Sequence, residues 1–180
     1  MNEKNKKLLL NYARKSIKSV FNGESFVPDK IPSDLKSIGC CFVTLNLDGE
    51  LRGCIGNLEP FEPLYKNVIN NAVNAAFKDS RFKPLSRSEF NKIKIEISVI
   101  SSAVPLIYDD YNDLLNKLRI GQGVIFKKGF YQSTFLPQVW EMIPDKIEFL
   151  KNLSLKAGLH GDAWRDDPDI FVYGVEKFSE

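Results

Sequence analysis

Cys41-Phe42-Val43-Thr44-Leu45-Asn46-Leu47-Asp48-Gly49-Glu50-Leu51-Arg52-Gly53-Cys54-Ile55-Gly56 is the stretch that decides the reading of this chain. Residues 41–45 alternate like a strand, Asp48-Gly49 is a strong hairpin-turn pair, and 50–56 can return as the partner strand. Side chains alternate between the faces of a strand. Leu51 and Ile55 are therefore expected on one face with the bare Gly53 between them, and Arg52 and Cys54 on the other. Gly53 and Gly56 admit close approach of a backbone or a ligand, or permit a bulge. A thiol beside a guanidinium can gain thiolate character, so function is expected at Arg52-Gly53-Cys54.

Outward from the hairpin, Leu9, Ala13, Ile17 and Val20 recur at helical spacing and predict an amphipathic helix over 3–20. Residues 23–33, with Pro28 and Pro32, read as loop. Glu59-Pro60-Phe61-Glu62-Pro63 reads as a rigid connection into a helix over about 63–78, where Ala72, Ala75 and Ala76 allow close packing. A short helical turn is expected over 86–91, capped by Ser86 or Ser88. In the strand at 92–101, Ile93, Ile95, Ile97 and Val99 face one way and Lys94, Glu96 and Ser98 the other. The second half replays this order. A helix near 110–119 precedes strands at 122–127 and 130–136, then a helix from Pro144 to about 157 with Gly158 as its C-cap, then a strand near 170–177. The expected fold class is α+β, one domain over 1–180 built from two similar β/α units at roughly 36–105 and 118–178.

The chain has 180 residues, 43% hydrophobic and 27% charged, enough for a sizeable core. Its apolar runs are too short to cross a bilayer, so no membrane partner is expected. Asn11, Arg14, Lys15 and Lys18 interrupt the N-terminal apolar run too early for a signal peptide, and a cytoplasmic location is expected. Three cysteines without a C-x-x-C pair, and His160 as the single histidine, specify neither a disulfide framework nor a zinc site. A net charge of +2 disfavours nucleic-acid binding, and Lys4, Lys6 and Lys7 read as a solvated helix face.

Cys54 is the candidate nucleophile, redox thiol or transient ligand; the alternative is a small packed hydrophobe, the role expected of Cys40 and Cys41. If the strand at 92–101 neighbours 50–56, then Arg52, Cys54, Glu96 and Ser98 line one polar surface. Glu96 is then a candidate general base, with an ion pair to Arg52 or Lys94 as its alternative role. Asp79 and Arg81 follow the long helix, where Arg81 can bind a carboxylate or phosphate through its planar fork, or fix the loop through a salt bridge or carbonyl contacts. Asn57 and Glu59 are placed at the same mouth. His160 reads as a surface residue, and Trp140, Trp164 and Phe171 as core or rim aromatics.

These runs together resemble the AMMECR1 family. The likeness is carried by Gly39 to Leu45, by Leu51-Arg52-Gly53-Cys54-Ile55-Gly56, by Asp79-Ser80-Arg81-Phe82 with Pro84-Leu85, and by Ile95-Glu96-Ile97-Ser98-Val99. It continues through Leu136-Pro137-Gln138-Val139, Phe149-Leu150 and Lys156-Ala157-Gly158-Leu159, nearly the full length. The resemblance implies two related β/α units around a curved, mainly antiparallel sheet, in a cytosolic protein. It implies an enzymatic or substrate-binding role centred on Arg52-Gly53-Cys54, with no reaction or cofactor specified; the first reading of the site itself is an enzyme or enzyme component acting on a small or modified-base substrate. The hypothetical catalytic set is Cys54, Arg52 and Glu96. The binding set is Gly53, Gly56, Asn57, Asp79, Arg81 and Ser98. Gene context in the family implies a Memo-like protein and a radical S-adenosylmethionine protein as partners. The alternative is then a non-catalytic adaptor docking the Memo-like protein. Relatives often carry a cysteine ahead of Lys-Ala-Gly; this chain has Ser154, a departure that argues against a two-cysteine mechanism.

Overall fold

The structure, a computed structural model, describes residues 1–180. In chain order the elements are α1 (Glu3–Phe21), β1 (Ile38–Leu47), β2 (Glu50–Gly56), β3 (Glu62–Pro63), α2 (Leu64–Phe77), α3 (Arg87–Phe90) and β4 (Lys94–Ile100). They continue with β5 (Val104–Pro105), α4 (Tyr111–Lys117), β6 (Gly123–Lys128), β7 (Tyr131–Phe135), α5 (Val139–Met142), α6 (Lys146–Lys156), β8 (Asp169–Tyr173) and β9 (Val175–Ser179). They form two compact units, Met1–Ile100 with Glu176–Glu180, and Ser101–Val175.

In the first unit the strand order is β2-β1-β4-β9, with β3 pairing the start of β1. β2, β3 and β4 all run antiparallel to β1, as an α+β fold requires. Asp48 and Gly49 both have positive φ, 52° and 89°, the geometry of a two-residue turn whose twist matches its strands. Val43, Leu45, Ile95 and Ile97 are fully buried against α1 and α2, whose Leu9, Ala13, Ile17, Val68, Ala72 and Ala75 complete the core. The alternation expected along β4 therefore holds, with Lys94, Glu96 and Ser98 on the other face. α1 starts at an Asn2 cap whose side chain accepts from the Asn5 N–H, and α3 has a full capping box between Ser86 and Glu89.

The hairpin departs from simple alternation at one point. Leu45 pairs Gly53 while Asn46 pairs Leu51, leaving Arg52 as an extra residue in a β-bulge. The bulge shifts Leu51 to the face of Asn46, Thr44 and Cys54, where it is 43% exposed, instead of the core face shared by Ile55. The cause lies at Gly53. A methyl group there would sit 2.2 Å from the Ala75 carbonyl oxygen, so the backbone of α2 runs directly against the strand and only glycine fits.

In the second unit the order is β5-β8-β6-β7, with β6 antiparallel to both β7 and β8. Phe126, Phe149, Leu150, Leu153, Trp140 and Trp164 form its buried core, the Trp140 and Phe149 rings stacked 3.7 Å apart. Each unit thus has a hairpin, a helix, and a strand that returns to pair the first strand of the hairpin. The stretch 170–177, expected as one strand, is two. Gly174 exchanges backbone bonds with Ser101, donating its N–H to the Ser101 hydroxyl and accepting from the Ser101 N–H, and β9 continues in the first sheet.

Candidate functional site

β2 lies at the edge of its sheet, so its outward N–H and C=O groups have no strand to pair with. At Cys54 two side chains take that place. The Cys54 N–H donates to Asp79 Oδ2 at 2.9 Å, and Arg81 Nη2 donates to the Cys54 carbonyl at 3.2 Å. Asp79 is locked in turn: Oδ1 accepts from the Arg81 N–H and Nε at 3.1 and 2.9 Å, and Oδ2 accepts from Arg81 Nη2 at 2.7 Å. The Arg81 guanidinium, helped by the two backbone N–H groups and opposed by burial, holds the Asp79 carboxyl well below the usual carboxylate range. Asp79 and Arg81 therefore meet in a salt bridge that fixes the loop, and both contact the Cys54 backbone.

Arg52 goes elsewhere. The bulge aims it at Glu89, with Nε donating to Oε1 at 2.8 Å and Nη2 to Oε2 at 3.3 Å, while Nη2 also reaches the Lys83 carbonyl at 2.9 Å. Glu89 is pulled down to about 2 by Arg52 and by the Ser86 N–H and hydroxyl. The expected pairing of Arg52 with the Cys54 thiol is thus replaced, because the guanidinium is already held by a carboxylate. Arg81 is the cation at Cys54. The Phe82 ring lies between the two arginines, 5.8 Å from Arg52 Cζ and 5.4 Å from Arg81 Cζ.

The Cys54 thiol is left half-buried on the sheet face away from α1 and α2. Thr44, directly opposite, donates its hydroxyl to Cys54 Sγ at 3.3 Å. On the other side of Thr44 stands Glu96, so Cys54, Thr44 and Glu96 form one cross-strand row. β4 is not the neighbour of β2. β1 lies between, which puts Glu96 roughly 10 Å from Cys54 by strand spacing. Glu96 pairs with Lys177 of β9 at 2.9 Å, and not with Arg52 or Lys94. Ser98 shares the face, opposite Phe42, and Gly56 flanks Phe42 on the far side.

Asn57 belongs to a network that sequence reasoning did not find. Asn67 accepts the Cys41 N–H on Oδ1 at 3.0 Å and donates to Asn57 Oδ1 at 2.8 Å and Glu62 Oε1 at 3.1 Å. Asn71 donates to the Cys41 carbonyl at 3.1 Å and to Asn57 Oδ1 at 3.1 Å. These buried amides serve the backbone of β1 between its pairing with β3 and with β2. The signal available was Asn67 and Asn71 four apart on the buried side of a helix. Burial pushes the Cys41 thiol up to about 12 and raises that of Cys40, in keeping with packing roles. Ser154 is fully buried and donates to the Leu150 carbonyl at 2.9 Å. Exposed His160 stands beside Asp166 at 3.4 Å.

The model of the AMMECR1 family matches residues 10–178. The chain belongs to the AMMECR1 family. It is 36% identical to protein NEQ441 of Nanoarchaeum equitans, over 96% of this chain and 98% of that protein. Identity to protein MJ0810 of Methanocaldococcus jannaschii is 38%, over 95% and 88%. The crystal structure of the uncharacterised protein PH0010 from Pyrococcus horikoshii is similar over 96% of this chain and 90% of that one, with a TM-score of 0.77 at 32% identity. The AMMECR1 fold thus carries the clamped Cys54, and no helix in it is long and apolar enough to cross a membrane.

Proposed function

We propose that this AMMECR1 protein is an enzyme, or an enzyme component, that acts on a small substrate through Cys54. The observation that carries the reading is the division of labour at that residue. Asp79 and Arg81 fix both backbone groups of Cys54, while its thiol stands half-open beside the Thr44 hydroxyl. The Thr44 hydroxyl donates to the sulfur and the Arg81 guanidinium is held on the carbonyl of the same residue, so a donor and a cation flank the reacting atom. In the step this permits, the thiol proton leaves to a base. A sulfur lone pair then forms a bond to an electrophilic substrate carbon, the π pair moves to the adjacent heteroatom, and that atom takes up a proton. Glu96 is placed to hold a polar group of the substrate rather than to touch the sulfur.

The test is alkylation by iodoacetamide at neutral pH, read by peptide mass spectrometry, with Cys40 and Cys41 as internal controls. The reading predicts that Cys54 labels in the folded protein at least tenfold faster than either control. If all three label together, and only on unfolding, Cys54 is a packing residue and the thiol reading fails.

A further inference from the structure

The outer face of the first sheet contains an aromatic ring without an aromatic partner. Phe42 is half-buried, yet it packs into neither hydrophobic core and stacks on no other ring or cation. It lies across Gly56: a methyl group there would sit 2.4 Å from Phe42 Cγ, so glycine is what lets the ring lie down on the strand. The polar groups around it have unused bonding capacity. Ser98, directly opposite, and Asn46, on the same strand face, make no side-chain hydrogen bond. Glu96 uses only Oε1, on Lys177, and leaves Oε2 free. Cys54 and Glu96 stand diagonal to Phe42 on either side, at roughly 7 Å.

From this arrangement we infer that the face binds a planar, hydrogen-bonding heteroaromatic ring of the nucleobase class, stacked on Phe42. Ser98 and Glu96 Oε2 meet the donors and acceptors of its edge, and the ring is brought beside Cys54. The inference rests on the reading of Cys54 only for the chemistry after binding; the binding itself stands on Phe42 and its neighbours. An apolar ligand would leave Ser98, Asn46 and Glu96 without partners, and a non-aromatic one would not use the ring. The ligand is a small molecule and not a base within a strand, because a net charge of +2 provides no track for a phosphate backbone.

The experiment uses the full chain with adenosine and guanosine as probes and ribose as control. It reads saturation-transfer NMR of the base protons and, separately, protection of Cys54 from iodoacetamide. The expected result is saturation of the base protons of at least one nucleoside and none for ribose. The signal falls at least fivefold in Phe42→Leu, persists in Phe42→Tyr, and weakens in Ser98→Ala. A thermal melt of each variant establishes that it is folded, and if Phe42→Leu is not, the comparison of Ser98→Ala with wild type decides. Absence of saturation by both nucleosides overturns the inference, as does an undiminished signal in folded Phe42→Leu. Tighter, steeply salt-dependent binding of a short oligoribonucleotide also overturns it. Base saturation with an unreactive Cys54 upholds this inference while sinking the thiol reading; a reactive Cys54 without base saturation does the reverse.

Discussion

β2 and β7 hold the same place in their sheets: each is the second strand of a hairpin, and each is an edge. They are finished differently. Beside β2, charged side chains from the loop after α2 and from α3 close the edge, and the outward row reads Cys54, Thr44, Glu96. In the second sheet the matching outward row is Thr134, Ile125, Phe171, with neither thiol nor carboxylate. Its edge is touched by one cation, Lys156, whose Nζ donates to the Thr134 carbonyl at 2.9 Å. One topology thus supports two surfaces. The thiol and the carboxylate lie on the sheet whose edge is clamped by ion-paired side chains, which hold the Cys54 backbone and leave its thiol half-buried beside Thr44.

The sharpest way to break this contrast is to remove the clamp. Asp79→Ala removes the buried carboxylate that accepts from the Cys54 N–H and from Arg81, and should cost about 2 to 3 kcal/mol in a denaturant titration, through the donor left without a partner. Lys156→Met at the other edge should cost under about 1 kcal/mol, because that pair is exposed. Equal losses would show that the two edges are not distinguished by their clamps. Next in size is Gly53→Ala, expected to lose about 2 kcal/mol as β2 is pushed off the Ala75 carbonyl.

The Arg52–Glu89 bridge gives a pH signature. Glu89 is depressed in the folded state, so its contribution is present above the unfolded value near 4.5 and disappears as pH falls through about 2. Glu89→Gln should therefore be less stable than wild type at pH 6, with the gap closing progressively between pH 4.5 and pH 2 in an acid titration. A gap that stays constant over that range would contradict a Glu89 carboxyl held low by Arg52 and Ser86. The smallest effect is expected at Thr44→Val, which removes the hydroxyl that donates to sulfur and should slow Cys54 alkylation about fivefold.

Much of the fold was legible because its signals are local. Asp48-Gly49 fixes the hairpin, the alternation at 93–99 sets the core face of β4, and the spacing of Leu9, Ala13 and Ile17 sets α1. A bulge was one of the readings that Gly53 and Gly56 allowed, but its place at Arg52 was not legible, because it depends on how closely α2 approaches Gly53, a contact between residues far apart in sequence. The partner of Arg52 was missed for the same reason: Glu89 lies 37 residues away, and its local signature is only that of a helix cap. Asp79, Arg81 and Cys54 were found as residues, but a loop that mimics a strand beside Cys54 arises from tertiary placement alone. The departure of β9 to the first sheet escaped because 170–177 is β-forming throughout, and only the bonding of Gly174 with Ser101 divides it.

The central claim is that Arg81, and not Arg52, is the cation that serves the Cys54 thiol. The measurement that tests it most directly is the alkylation rate of Cys54 at pH 7 in Arg81→Gln, Arg81→Lys and Arg52→Gln, each verified as folded by its melt. The account predicts a large drop in rate for Arg81→Gln, partial recovery in Arg81→Lys, and a rate near wild type for Arg52→Gln. A drop in Arg52→Gln with Arg81→Gln unchanged would contradict it.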